Sequence, residues 1–464
     1  MGNFNYFVAI LIVILSYIVT KIFLHYSRTG LEKLCLIFLS IFTVIYSGLG
    51  ISFRSVDKIY LFSFFAFFVF LLSGLCLGFR MLNIKKEFRF INSLTGKNSI
   101  ITNIVAIVYW LILIVRLVYP VNKFMKLLNP SISVIDVFSN QIASRENMIV
   151  YLLGILILLI RPVYYIFLIK MKSNILPSLL IFLEIYIGVA INGYMGRSGA
   201  IVNVLLMILV FVYKRGYSED KAENRMKYTK FKLFPKIVLL KSRKRKIVNL
   251  KDENSYLIAK RVFTIIAIVV ILMAPLLFEY QYYRLGAHNQ TTSIIDKING
   301  LMEIEFSFPK LYNYASISSE NHSPIEYFKW LVTLIVPKQL LPVGEVILIN
   351  YKFSSSILGI EYGEPGFYVF LPSVLGEAIM LYGNYLVFIH GFILGIIIGA
   401  FLSFYQKSKS LLLWNIYVVC QLIFMPRGGS QGTISLFING SLLLFLFAFI
   451  DVLYPKKKNS MKIT

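Results

Sequence analysis

Three arginines in this sequence occur where polar turns adjoin long apolar runs. Arg197 lies in Gly196-Arg197-Ser198-Gly199, Arg427 lies in Met425-Pro426-Arg427-Gly428-Gly429, and Arg284 opens a long polar segment. Glycine lets backbone N–H groups approach a ligand, and a guanidinium group can bond two phosphate oxygens at once. Because helix N-termini also favour anions, we expect these turns to bind an anionic group. The alternative for each arginine is a snorkelling side chain or an ion pair with a loop carboxylate.

Two carboxylates lie inside apolar stretches. Glu377 follows Pro372-Ser373-Val374-Leu375-Gly376, and Glu184 interrupts an otherwise apolar run. Ionisable groups at membrane depth are costly, so each is a candidate for function. Glu377 is a functional candidate on this ground, whereas Glu184 is equally well explained as the ion-pair partner of Arg161 or of another buried cation.

The histidines divide into two kinds. His288 and His322 lie in the long polar segment, where an imidazole group can accept a proton from a hydroxyl group near neutral pH. His288 is the candidate base among them. His390 precedes Gly391 in a run whose glycines favour close helix packing, so we interpret it as structural.

The sequence lacks convincing matches to the motifs of soluble enzymes. The sequence contains neither HExxH nor CxxC, and we expect no metal ion and no cofactor. The run Gly428-Gly429-Ser430-Gln431-Gly432 matches G-x-S-x-G but lies between two apolar segments. A nucleophile elbow needs a turn from a strand to a helix, so we expect no serine nucleophile. The cysteines all lie in apolar stretches and predict no disulfide framework: Cys35, Cys76 and Cys420.

The composition indicates which elements must position these groups. Of 464 residues, 58% are hydrophobic and 15% are charged, against roughly 45 to 50% and about 25% in soluble domains. The mean hydropathy is +0.75. These values exclude a soluble globular protein and predict an all-α polytopic membrane protein. The net charge of +25 would suggest nucleic acid in a soluble protein. Here it is better explained by basic cytoplasmic loops, so no nucleic-acid partner is expected.

Apolar runs predict about eleven transmembrane helices, within a range of about 10 to 12. They cover residues 4–24, 34–51, 59–79, 100–119, 148–169, 174–193, 199–213, 261–278, 384–404, 411–426 and 432–453. The N-terminal half is organised as transmembrane helices 1–7 in residues 1–213, a basic cytoplasmic loop in 214–260 and transmembrane helix 8 in 261–279. A large external loop with a re-entrant segment follows in 280–383, then C-terminal transmembrane helices in 384–454 and a basic cytoplasmic tail in 455–464.

Positive charge predicts the orientation of these helices. Residues 214–261 hold sixteen Lys and Arg against five Asp and Glu, so this loop is expected in the cytoplasm. The basic connections at 80–97, 170–172 and 407–409 fall on the same side only if 366–383 does not cross the membrane. We therefore expect 366–383 to be a re-entrant or surface segment. The large external loop would contain short helices.

Four features carry a family resemblance. They are the glycine-flanked Arg197 turn, the run Val336-Pro337-Lys338-Gln339-Leu340-Leu341-Pro342, the segment Pro372–Glu377 followed by Tyr382-Gly383 and the Gly391/Gly395 helix, and Pro426-Arg427-Gly428. Over roughly residues 190 to 450, the chain resembles the Wzy-type O-antigen and capsule repeat-unit polymerases of bacterial inner membranes. It departs from them at Lys338, where the family has Arg, and at Leu341, where Trp is usual.

The resemblance implies a GT-C-like fold and a multi-pass glycosyltransferase of the inner membrane, active on the periplasmic side. Its substrates would be glycans linked to undecaprenyl pyrophosphate, a membrane lipid, and it would need no cofactor. Arg197, Arg427, Arg284 and Lys338 would hold the pyrophosphate, and Glu377 or His288 would deprotonate the acceptor. A chain-length regulator and a repeat-unit flippase are the implied protein partners.

Two alternatives remain open. An O-antigen ligase would show His followed by Asn, Ser or Gln, then nine residues and Gly. After His288-Asn289 the glycine, Gly300, comes one position too late. A lipid-linked oligosaccharide flippase or other transporter would share the composition, but it should line a central path with charges along its spans.

Overall fold

The computed structural model describes much of the helical part of the chain. The described residues are 5–52, 57–81, 100–119, 122–128, 148–171, 173, 175–192, 206–207, 312, 315–316, 322–334, 348–362, 364, 367, 369–406, 408 and 411–453. Among them the chain forms helices and no strand.

The helices follow one another as α1 (Tyr6–Tyr26), α2 (Gly30–Thr43), α3 (Ile59–Met81), α4 (Ile100–Val118), α5 (Met125–Leu128), α6 (Met148–Lys170), α7 (Leu176–Asn192), α8 (Pro324–Thr333), α9 (Ile349–Leu358), α10 (Ser373–Gln406), α11 (Leu412–Gln421), α12 (Phe424–Gly428) and α13 (Gln431–Leu453). A π-helical turn, Val44–Gly48, and a 3₁₀ turn, Leu49–Ser52, extend α2.

The prediction of an α-helical membrane protein is confirmed by the length and composition of the helices. Among the described residues, seven helices are long and apolar enough to cross a bilayer: Tyr6–Tyr26, Gly30–Ser52, Ile59–Met81, Ile100–Val118, Leu152–Lys170, Ser373–Gln406 and Gln431–Phe449. In hydrocarbon every backbone N–H and C=O group needs a partner within the protein, and a helix supplies it. These helices indicate a multi-pass α-helical membrane protein.

Several predicted spans differ from this set. The run at 174–193 forms α7, whose apolar part is shorter than a full span. The run at 411–426 forms two shorter helices, α11 and α12, instead of one continuous span. The predicted spans at 199–213 and 261–278 lie outside the described residues, apart from 206–207. The total of eleven stays a prediction.

Helices α3 and α10 pack closely and run in the same direction. Near the beginning of α3 and just after the break at Gly383 in α10, Ser63 Oγ donates to Asn384 O at 2.8 Å. Near their ends, Ser403 Oγ donates to Phe79 O at 3.2 Å. Early residues contact early residues and late residues contact late ones, so the two helices are parallel.

Glycines allow this close approach. A Cβ atom built on Gly395 would come within 3.0 Å of Leu71 O, and one on Gly74 within 3.0 Å of Phe392 O. Small residues let backbones in a membrane approach until they touch, which increases dispersion contacts. The close packing expected from Gly391, Gly395 and Gly399 is confirmed, and its partner is α3.

Helix α10 contains a sharp break. At 34 residues it is far longer than one span, since about 20 residues cross the hydrocarbon. Gly383 interrupts it with φ +68° and ψ 177°, a conformation that suits glycine. The first part, Ser373–Tyr382, is almost wholly buried within the protein, and the second part packs against α3. This break separates the segment around Glu377 from the span that follows.

Candidate functional site

Glu377 is the centre of a buried polar site at the start of α10. Its side chain has no exposed surface. Oε2 accepts a hydrogen bond from the backbone N–H of Ser430 at 2.6 Å, and Oε1 accepts one from the Ser430 hydroxyl group. These two residues are 53 positions apart in the sequence. Both oxygens of the carboxyl group therefore bond the residue that precedes α13.

The turn that meets Glu377 depends on glycine. Gly429 links α12 to α13 with φ +86° and ψ 172°. A Cβ atom built there would come within 3.0 Å of Glu377 Oε2. The contact can form because this position has no side chain. The carboxyl group then lies at the N-terminus of a 23-residue helix, where the helix dipole favours negative charge.

Helix α9 binds the same turn from another side. Asn350 Nδ2 donates to Gly428 O at 2.6 Å, and Ile349 N donates to Gln431 Oε1 at 2.8 Å. Residues 427–431 are called the 427–431 turn below. It is thus held on one side by α10 and on another by α9.

Helix α8 closes the site. Tyr327 OH forms a 2.5 Å hydrogen bond with Ser430 Oγ. The ring of His390 packs at right angles to that of Tyr327, with 5.3 Å between the centroids. His390 Nε2 lies 3.3 Å from Glu377 Oε1, within ion-pair distance. Among the described residues it has no hydrogen-bond partner. His390, predicted to be structural, therefore also borders the carboxyl group.

Arg427 lies in the last turn of α12, directly before the two glycines. Its side chain is half-buried and interacts with other groups of the protein. The structure thus brings two predicted site residues, Arg427 and Glu377, to one place. Ser430, three residues after Arg427, joins the two through its hydrogen bonds to Glu377.

The other predicted site residues lie outside the described residues. These are Arg197, Arg284, His288 and Lys338. Their assignments to the pyrophosphate and to the base stay predictions.

His322 takes part in an ion-pair network between α8 and α9. Its Nδ1 lies 3.4 Å from Glu326 Oε2, and Lys352 Nζ lies 2.8 Å from Glu326 Oε1. Burial lowers the pKa of His322, although the Glu326 carboxylate offsets part of this effect. Burial acts to raise the pKa of Glu326, but Lys352 and His322 outweigh it, so the pKa lies below its usual value. These contacts fix α8 relative to α9, and both helices contact Ser430 or its neighbours.

Sequence reasoning missed three contributors to the site. Tyr327, Asn350 and Ser430 are common polar residues in segments with no recognisable motif, apart from the G-x-S-x-G match at Ser430. The hydroxyl group of Ser430 bonds Glu377 and Tyr327, an arrangement unlike that of a serine activated by a histidine. In the ranges described above, no group of three or more His, Cys, Asp or Glu side chains could hold a metal ion.

A second polar cluster lies among α4, α6, α7 and α11. Arg161 Nε lies 3.1 Å from Glu184 Oε1, and Tyr109 OH donates to the same oxygen at 2.5 Å. Arg161 Nη1 donates to Tyr417 OH at 2.6 Å. The predicted pairing of Glu184 with Arg161 is confirmed.

Comparisons with known proteins provide no relative. No family model, no curated protein and no solved structure matches this chain.

Proposed function

We propose that this protein is a polymerase that joins oligosaccharide repeat units linked to undecaprenyl pyrophosphate, at the periplasmic face of a bacterial inner membrane. The observation that carries the proposal is the site around Glu377. Arg427 lies on a turn fixed by hydrogen bonds to α9 and α10. A cation on a fixed turn between apolar helices suits the head group of an anionic lipid.

In the proposed reaction, the hydroxyl oxygen of an acceptor repeat attacks the anomeric carbon of the donor. The bond between that carbon and the pyrophosphate oxygen breaks, and undecaprenyl pyrophosphate leaves. A base takes the proton of the acceptor. Negative charge grows on the pyrophosphate as the bond breaks, so a cation fixed in advance stabilises the transition state more than the ground state.

The proposal assigns Arg427, Arg197, Arg284 and Lys338 to the pyrophosphate. The base would be His288 or Glu377. Glu377 is fully buried, and both of its oxygens bond Ser430. A base must reach its proton directly or through one water molecule, so this geometry favours His288.

The first test replaces Arg427. We expect Arg427→Ala to lower chain growth about 10²- to 10³-fold at equal protein level, the usual loss when one fixed charge stabiliser is removed. Arg427→Lys should keep part of the activity, because Lys retains the charge but not the planar fork. The measurement is the polysaccharide ladder on glycan gels. Lys329→Ala is the control, because Lys329 is an exposed cation on α8. A normal ladder from Arg427→Ala would remove Arg427 from the mechanism.

Loss of the gene tests the function as a whole. A polymerase mutant should still cap its lipid core with single repeats. Complete loss of the glycan would instead indicate a ligase or a flippase. Glycan electrophoresis separates these outcomes.

A transporter of lipid-linked oligosaccharides is the second candidate. The observation in its favour is the charged pair Arg161 and Glu184, buried among helices α6 and α7. Charges along the spans are expected of a transport path. Purified protein in detergent, supplied with lipid-linked repeats, distinguishes the two functions. Chain growth without sealed vesicles supports the polymerase, and its absence together with transport in vesicles supports the transporter.

A further inference from the structure

We infer that Glu377 is a positioning residue that holds the 427–431 turn, and with it Arg427, in the geometry that binds the pyrophosphate. The inference rests on the proposed function of Arg427. It gives Glu377 a role that acts through Arg427 rather than on the proton of the acceptor. Three observations carry it.

The first is how Glu377 uses its oxygens. Oε2 is 2.6 Å from Ser430 N, and Oε1 accepts from Ser430 Oγ. The side chain is completely buried beneath its neighbours. These hydrogen bonds are costly to lose, because the oxygens of a buried carboxyl group would be left without partners. Both oxygens of this carboxyl group therefore accept hydrogen bonds from the turn.

The second is the backbone at Gly429. Its φ of +86° and ψ of 172° interrupt the helical path between α12 and α13. A continuous helix would fix the direction of Arg427 through its own hydrogen bonds. Here α12 is only a five-residue helix before the break. The hydrogen bonds from Glu377 and Asn350 therefore add to those within the turn, such as Gly429 N to Met425 O, in fixing the backbone next to Arg427.

The third is that these contacts act on both sides of Gly429. Asn350 Nδ2 bonds Gly428 O at 2.6 Å, before the break. Glu377 bonds Ser430 N, after the break. Rotation about Gly429 would break one contact or the other. Removing Glu377 takes two hydrogen bonds from the side of the turn that joins α13, where Tyr327 and Ile349 also bind, so Arg427 is less firmly fixed.

The deciding experiment compares Glu377→Gln with Glu377→Ala. In Glu377→Gln the amide oxygen can still accept from Ser430 N, and the amide nitrogen can donate to Ser430 Oγ. We expect Glu377→Gln to stay within about tenfold of wild type, whereas loss of a general base costs about 10²- to 10⁴-fold. Glu377→Ala should lose activity mainly through a higher KM for the lipid-linked donor. Glu361→Gln, at an exposed site, is the matched control.

A double substitution separates positioning from general support of the fold. If Glu377 acts through Arg427, Glu377→Ala should cost little further activity in an Arg427→Ala background. A purely structural role predicts that the two losses multiply. Activity is measured on detergent-purified protein whose thermal unfolding midpoint is reported for every variant. A Glu377→Gln protein that folds but has lost at least 10²-fold activity, with a changed pH profile, overturns the inference and restores the base.

A measurement without turnover distinguishes failure of the inference from failure of the proposed function. Inorganic pyrophosphate is titrated into purified wild type and variants, and binding is followed by calorimetry. We expect weaker binding in Glu377→Ala and nearly unchanged binding in Glu377→Gln. If wild type binds pyrophosphate and extends chains but Glu377→Ala binds equally well, the inference alone fails. If wild type neither binds pyrophosphate nor extends chains, the proposed function fails, and the inference with it.

Discussion

Glu184 and Arg161 show how single residues are accommodated inside the bundle. Their ion pair has 3.1 Å between Arg161 Nε and Glu184 Oε1, and Tyr109 and Tyr417 supply further hydrogen bonds. A buried charge is tolerated only with a partner, because the loss of hydration is costly. The sequence leaves open whether Glu184 pairs with a buried cation, and the structure shows that it pairs with Arg161.

Removing one partner should be worse than removing both. We expect Glu184→Leu to destabilise the protein by about 3–5 kcal/mol, because it leaves the Arg161 charge buried and unpaired. The double variant Arg161→Met/Glu184→Leu should be more stable than the single variant. Unfolding in detergent, followed by circular dichroism, measures this. Glu364→Leu, at an exposed carboxylate, serves as the control. Equal stability of wild type and Glu184→Leu would contradict the prediction.

The candidate site was only partly predictable at this scale. Arg427 and Glu377 were each singled out, by glycine-rich context and by position in an apolar run. Their proximity was not predicted, because it depends on Ser430 and on the backbone angles at Gly429. The 3.3 Å distance between His390 Nε2 and Glu377 Oε1 was not predicted either, since it depends on the break in α10 at Gly383.

At the scale of elements, the pairing of α3 with α10 organises the described part of the bundle. The helices interlock through glycines on both partners, Gly74 and Gly78 on α3 and Gly391, Gly395 and Gly399 on α10. The sequence predicted a helix with a face for close packing. It did not predict the partner, because spacing defines a face of one helix and carries no information on which other helix meets it.

Substitution of Gly395 should therefore disrupt this pair. Its Cβ would clash with the backbone of Leu71, which cannot move aside as a flexible side chain can. We expect Gly395→Leu to cost at least about 1–3 kcal/mol, the usual range for overpacking. The yield of folded protein and its unfolding midpoint measure this. Gly188→Ala is the matched control, because a Cβ there meets nothing within 4 Å. A fully stable Gly395→Leu protein would show that the two helices can separate freely.

At the scale of the whole molecule, the parallel packing of α3 and α10 places Met81 and Gln406 at the same end of the bundle. Lys170 Nζ also bonds Thr102 Oγ1 at 2.9 Å, so the end of α6 meets the start of α4. These contacts therefore bring together the ends of α3 and α10, and the end of α6 with the start of α4. The orientation expected from the positive charges, in which 366–383 does not cross the membrane, stays a prediction.

Labelling of introduced cysteines tests this topology. We expect Met81→Cys and Lys407→Cys to react with a membrane-impermeant maleimide from the same side of the membrane. Asp57→Cys, at the other end of α3, should react from the opposite side. The native cysteines, all buried, should remain unlabelled. Labelling of positions 81 and 407 from opposite sides would rule out the parallel arrangement.

The sequence by itself determined that the chain forms several membrane-spanning helices, and it predicted how charge is distributed between them. Long apolar runs must form helices in a bilayer, because no water is present there to bond the backbone. The tertiary structure decided which helices are neighbours and where the polar groups meet. Glu377 reaches Ser430 because positive φ values at Gly383 and Gly429 redirect the chain. Composition and periodicity do not encode those two turns, since each depends on contacts between residues distant in the sequence.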